Sequence, residues 1–250
     1  AGTVPASFAR WMDAETYARS VQYTLAQSRF HEVEATWAAL VLGLSLACGI
    51  LPAAFTSLTT ALGTSVWSHT TFLFLVGGAF SLLHLPLDWY SQFRLEERFG
   101  FNTTTPRLWW TDRVKGLGIA AALGFPVVAL ILALAARAGS TWWLWAWAAV
   151  LVVELLLMVL APALLLPIFN KLTPLPDGPL RARLLALAGR TRFPLRSLEV
   201  MDGSRRSHHS NAFFTGLGRF RKIVLFDTLM RQLDEAEVEA VVAHEIRNPL

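Results

Sequence analysis

The sequence holds one cysteine, Cys48, so no disulfide can form within the chain and nothing marks an oxidising compartment. Cys48 sits inside an apolar run and reads as a small hydrophobe. Lysine is scarce: of 22 basic residues only 3 are Lys, the rest Arg. Charged residues make up 16% of the chain against 54% hydrophobic, too few to cover a solvated globular surface. The net charge of +4 follows membrane topology, so no nucleic-acid partner is expected. The first 28 residues show neither a short hydrophobic core nor a cleavage pattern, so no signal peptide is expected. What is abundant is apolar and aromatic, including 10 Trp. That is a membrane composition, with lipid as the first partner. The Arg, Ala, Leu and Trp bias points to a GC-rich bacterial genome, hence to a bacterial inner membrane.

Residues 1–34 mix Trp11, Tyr17, Tyr23 and Phe30 with charges and read as an interfacial or cytoplasmic segment. Residues 35–168 read as a four-span membrane domain, with runs at 35–51, 70–87, 116–136 and 141–168. Pro162 and Pro167 should kink the end of the fourth. Basic residues number 3 before the first span, then 0, 5, 1 and 13 in the successive segments between and after the spans. That alternation places both ends of the chain, loop 88–115 and everything past 168 in the cytoplasm. Trp142, Trp143, Trp145 and Trp147 read as an interfacial belt. Glu154 lies mid-span, where a carboxylate either lines a water-filled cavity or pairs with a neighbouring helix.

Residues 169–250 are more polar. Pro174, Pro176, Gly178 and Pro179 mark a turn, 180–190 has helical periodicity, and 198–201, 212–214 and 221–227 read as short strands, with a tight turn at 216–218. His208 and His209 fall in a polar loop and read as solvated. A helix follows from Asp234, which with Glu237 forms a capping-box pattern. Val238, Val241 and Val242 give it one apolar side, and His244 and Glu245 are expected on that side. In an H-E-x-x-H helix two imidazoles one turn apart bind zinc, and the Glu beside the metal-bound water is the general base. Here the second histidine's position holds Asn248, and Pro249 disfavours helical geometry there.

Several blocks together resemble one family: Leu85-Pro86 with Tyr90, Glu96-Glu97-Arg98-Phe99-Gly100-Phe101-Asn102, Pro167-Ile168-Phe169-Asn170-Lys171-Leu172-Thr173-Pro174-Leu175, Ser210-Asn211-Ala212-Phe213-Phe214-Thr215-Gly216, Ile223 through Thr228, and Glu237 through Glu245. The chain looks like a member of the integral-membrane CAAX prenyl protease 1 family of zinc metallopeptidases. The resemblance implies an all-α, multi-span membrane protein of seven spans around a water-filled chamber, with a small α+β start of a gluzincin-type peptidase segment at 169–250. It implies cleavage of prenylated C-terminal CAAX tripeptides, or of related membrane-protein substrates, and one zinc ion. His244 would be the first metal ligand and Glu245 the general base. Asn211 and Ala212 would hold the substrate backbone by strand addition. Three departures stand against this: Asn248 for the second His, Arg247 for a glycine usual in the family, and no third ligand before Leu250. They imply a truncated, inactive chain. The alternative is a non-catalytic member that binds prenylated or misfolded membrane substrates. A four-span scaffold or transporter half, with Glu154 on its pathway, leaves residues 170–250 without a purpose.

Overall fold

A computed structural model describes Val4 and residues 13–216 and 221–247. Trp11 of the leading segment, Gly218 of the expected turn, and Asn248 and Pro249 lie outside the described residues. The chain divides into two compact units, Ala1–Asn102 and Thr103–Leu250.

The first unit is helical. Helix α1 (Ala14–Ala47) starts where Asp13 accepts the Thr16 amide N–H at 2.8 Å. It runs unbroken through the boundary expected at 34/35, so the described part of the amphipathic stretch and most of the first apolar run, up to Ala47, are one helix. Gly49, at φ 67°, turns the chain into α2 (Ile50–Leu62), a helix where the sequence suggests a loop. Helix α3 (Val66–Tyr90) opens with a reciprocal Ser65–Ser68 capping box. It continues through a π-helical turn at Ser91–Leu95 into the short α4 (Glu96–Arg98). The Glu96–Asn102 block does more than join spans. Glu96 accepts the Tyr23 hydroxyl of α1 at 2.8 Å, and Arg19 donates to the Phe99 carbonyl at 3.1 Å. Tyr23 also packs against the rings of Phe99 and Phe101.

The second unit begins with two long apolar helices. Pro106 at the N-terminus of α5 (Pro106–Ile119) follows its cap Thr105. A π-helical turn at Ala120–Gly124 joins α5 to α6 (Phe125–Arg137), just ahead of Pro126, which cannot donate to a helical carbonyl. Helix α7 (Trp142–Phe169) follows. Among the described residues three helical stretches are long and apolar enough to cross a membrane: Val66–Arg98, Pro106–Arg137 and Gly139–Ala161. The number reaches four only if α1 and α2, bent by 62°, count as one span. Glu154 is exposed on α7 and has no neighbouring-helix partner among the described residues.

Beyond α7 lies a four-stranded mixed sheet of order β1-β2-β4-β3. Its strands are β1 (Leu172–Pro174), β2 (Leu195–Met201), β3 (Ala212–Thr215) and β4 (Arg221–Phe226). β1 and β3 run antiparallel to their neighbours, and β2 and β4 are parallel. The parallel pair needs a crossover longer than a hairpin. That stretch, 202–220, also carries β3. Helices α8 (Pro179–Arg190), α9 (Asp227–Gln232) and α10 (Glu235–Arg247) complete the segment. Leu184, Leu198, Ile223, Leu225, Leu229, Val238 and Val242 are among the residues of one core between helices and sheet.

Candidate active site

Helix α10 forms as its local chemistry dictates. Asp234 Oδ1 accepts the amide N–H groups of Ala236 and Glu237, each at 2.8 Å, and Glu237 Oε2 accepts the Asp234 N–H at 2.9 Å. This capping box satisfies donors that the first helical turn leaves open. Val238 and Val242, each 1% exposed, drive the helix into the core against α8 and β3. Arg190 and Arg183 reach across from α8 to Glu239, at 2.7 and 3.4 Å.

The two expected site residues do not share one environment. Glu245 is half-buried and His244 is exposed. At ~100° per residue, the seven steps from Val238 bring Glu245 back towards the buried stripe, whereas His244 lies ~200° round from Val242. The sequence pattern groups both with the apolar side; the structure puts His244 on its outer rim.

Strand β3 lies at one edge of the sheet and β1 at the other, and among the described residues no further strand pairs with β3. Asn211 is exposed, and its carbonyl accepts the Phe226 N–H at 3.0 Å. In an antiparallel ladder successive residues alternate between bonding inward and pointing away. Ala212 and Phe214 therefore direct their amide and carbonyl groups out of the sheet edge. The Asn211 side chain already occupies one of them: its Oδ1 accepts the Ala212 N–H at 2.9 Å. The Ala212 side chain is 2% exposed and belongs to the core, so this residue offers only its backbone. Phe213 and Thr215 face the other way. With Ala161, Leu165, Leu166 and Phe169 of α7 they line an apolar cavity of about 290 Å³.

The loop between β2 and β3 is held by a residue the sequence reading did not single out. Arg206 makes a two-pronged pair with Asp112 of α5, Nε to Oδ2 at 2.8 Å and Nη2 to Oδ1 at 3.1 Å. It also donates to Asn170 Oδ1 at 3.0 Å and to the Phe169 carbonyl at 2.5 Å. Its own carbonyl accepts the Thr103 N–H and the Thr104 hydroxyl. The Asn170-Lys171 block earns its place here: Asn170 feeds this node, and the Lys171 N–H bonds Asp202 Oδ1 at 2.7 Å. Asp227 fixes the next turn by accepting the Ser204 amide at 2.8 Å and its hydroxyl. Burial works to raise the Asp227 pKa, but the Ser204 bonds and Arg231 outweigh it and hold the carboxyl below its usual value. His208 and His209 are exposed, with backbone carbonyls tied down by Gln232 and Thr228.

Zinc fits this arrangement only in part. A working zinc site takes three protein ligands and leaves a position for water. Among the described residues no converging group of three His, Cys, Asp or Glu side chains includes His244, His208 or His209. His244 is one imidazole beside one carboxylate, which is not a zinc-holding set.

Comparison with known proteins places these features. Residues 1–171 match a family model described as CAAX prenyl protease N-terminal, five membrane helices, and residues 174–247 match peptidase family M48. CAAX prenyl protease 1 of Saccharomyces cerevisiae is 41% identical over 206 residues, covering 82% of this chain and 44% of the yeast protein. The CAAX prenyl protease 1 homolog of Arabidopsis thaliana is 36% identical over 252 residues, covering 98% of this chain and 59% of its own length. The crystal structure of S. mikatae Ste24p superposes with a TM-score of 0.90 at 36% identity, over 98% of this chain and 59% of that one. The chain thus spans about half the length of the relatives it matches. It is an integral, multi-pass membrane protein, mostly helical, with a small mixed sheet and helices in the M48 segment. These relatives come from yeasts and a plant, so they lend no support to a bacterial inner membrane.

Proposed function

Because this chain belongs to the CAAX prenyl protease 1 family of M48 metallopeptidases, a family of zinc metalloendopeptidases, we propose that it is built to take prenylated C-terminal CAAX peptides at the β3 edge. The observation that carries this is the free edge itself: outward backbone groups at Ala212 and Phe214, on a strand packed against the helix of His244 and Glu245. A peptide laid there as a fifth strand would displace the Asn211 side chain from the Ala212 N–H. The neighbouring cavity of about 290 Å³ suits an apolar group of the substrate. The distribution of Arg and Lys places this segment on the cytoplasmic face, and the same distribution favours four crossings over residues 35–168.

Zinc supplies the Lewis acidity in this family. His244 is the residue offered to it and Glu245 the proton acceptor beside it. Asn248 stands where the second imidazole belongs, and a carboxamide is a weak zinc ligand beside imidazole. That substitution favours a second reading of the same site, in which the chain binds prenylated peptide without cutting it. The test is anisotropy of a fluorescent farnesylated CAAX peptide on the purified chain in lipid nanodiscs. Phe214→Pro deletes an outward N–H without touching the pairing to β4. It should weaken binding about fivefold to tenfold, as one lost hydrogen bond implies. Undiminished binding to this variant would overturn the strand-addition reading. Zinc-dependent cleavage of the peptide would overturn the non-cutting one.

A further inference from the structure

Among the described residues, the first unit contains one converging cluster of metal-ligating side chains. Glu34 of α1 and His84 and Asp88 of α3 each offer one ligand atom, and these atoms all lie within 4.8 Å of one another. All three side chains are half-buried. His84 and Asp88 are four residues apart, the spacing that brings two ligands to one helix face. The third ligand comes from another helix, and the approach of the two helices is pinned on both sides. Trp37 Nε1 donates to the Leu83 carbonyl at 3.1 Å, and Phe30 stacks on Tyr90 at 5.6 Å. Glu34 is itself oriented, since its Oε2 lies 2.9 Å from His31 Nδ1. Two carboxylates and an imidazole gathered this closely are a donor set that a divalent cation can bridge.

We propose that Glu34, His84 and Asp88 bind a divalent transition-metal ion of the zinc class, which clasps α1 to α3. One imidazole and two carboxylates form a nitrogen–oxygen donor set that zinc accepts, with a fourth position left for water. Imidazole in the set disfavours magnesium and calcium, which take oxygen. Ligand atoms on a closed zinc sphere sit roughly 3–4 Å apart, so small side-chain rotations close the observed group onto an ion. His31 is a positioning residue that holds the Glu34 carboxylate from outside the sphere.

The site is independent of the His244 helix, and the test separates them. The His244→Ala chain, purified in detergent, is equilibrated with zinc, desalted and measured for metal, and its melting is followed with and without zinc. About one zinc per chain should remain, with a higher melting temperature in zinc. Both effects should vanish in His84→Ala and in Asp88→Asn made on that background. His31→Ala should weaken zinc binding about 10-fold to 100-fold while leaving the stoichiometry unchanged. Should a ligand variant fail to fold, histidine modification by diethyl pyrocarbonate on the His244→Ala chain decides: zinc should protect His84 but not His208 or His209. No retained zinc, zinc unchanged by His84→Ala, or equal modification of His84 with and without zinc would each overturn the proposal.

Discussion

The membrane helices and the small sheet obey opposite packing rules. In each of the three long apolar stretches only 6% of an 18-residue apolar run is buried within the protein, and residues such as Leu155, Leu156 and Leu164 on α7 lie exposed. In the sheet and its helices, Leu184, Val224 and Leu225 are wholly buried. The difference is one of solvent. Lipid tails are as apolar as leucine, so a spanning helix gains little by hiding its side chains in protein. The peptidase segment meets water, and its stability comes from removing apolar surface from it.

Four substitutions sharpen that contrast. The largest effect should come from Leu225→Ala, a truncation in a closed core, which should cost about 2–5 kcal/mol. The equivalent truncation at exposed Leu156 should cost well under that, since no cavity forms. Urea titration followed by proteolysis of the 170–247 segment measures both, and equal costs would break the comparison. Arg206→Ala should come next. It strips Asp112 of its two-pronged partner at a site about three-quarters buried on both sides. Loss of a fully buried partner costs about 3–5 kcal/mol, and partial solvent access reduces this to about 2. Arg206→Lys should restore little, because an ammonium cannot reproduce the planar pair; differential scanning fluorimetry reads both.

The smallest effect concerns pH. The Asp227 carboxyl sits below its usual value in the fold, so its contribution is complete above the unfolded value near ~3.9. It is lost as pH falls through the lower folded value. Acid unfolding of the parent should therefore be steeper below pH ~4 than that of Asp227→Asn. Parallel acid limbs would show that the Ser204 bonds do not act through ionisation.

Much of this could be read from residue order because the physics involved is short-ranged. The capping box of Asp234 and Glu237, the amphipathic 180–190 helix and the three longer strands each rest on neighbours within a turn or a strand. The outward backbone of Ala212 follows from strand alternation once β3 is known to be the edge. The Glu34–His84–Asp88 group was not legible. Its members lie on two helices, and nothing local to Glu34 announces the other two. β1 also escaped notice, since three residues ending in Pro174 carry no strand pattern and pair only because β2 offers an edge. Sequence by itself determined the membrane class, the helix of His244 and Glu245, and Asn248 beyond it, since composition, period and motif are properties of chain order. Tertiary structure alone decided that His244 faces outward, that Arg206 meets Asp112 across 94 residues, and that two helices bring three metal ligands together. Those facts depend on distances that loop closure and packing set, and chain order does not encode distance beyond a few turns.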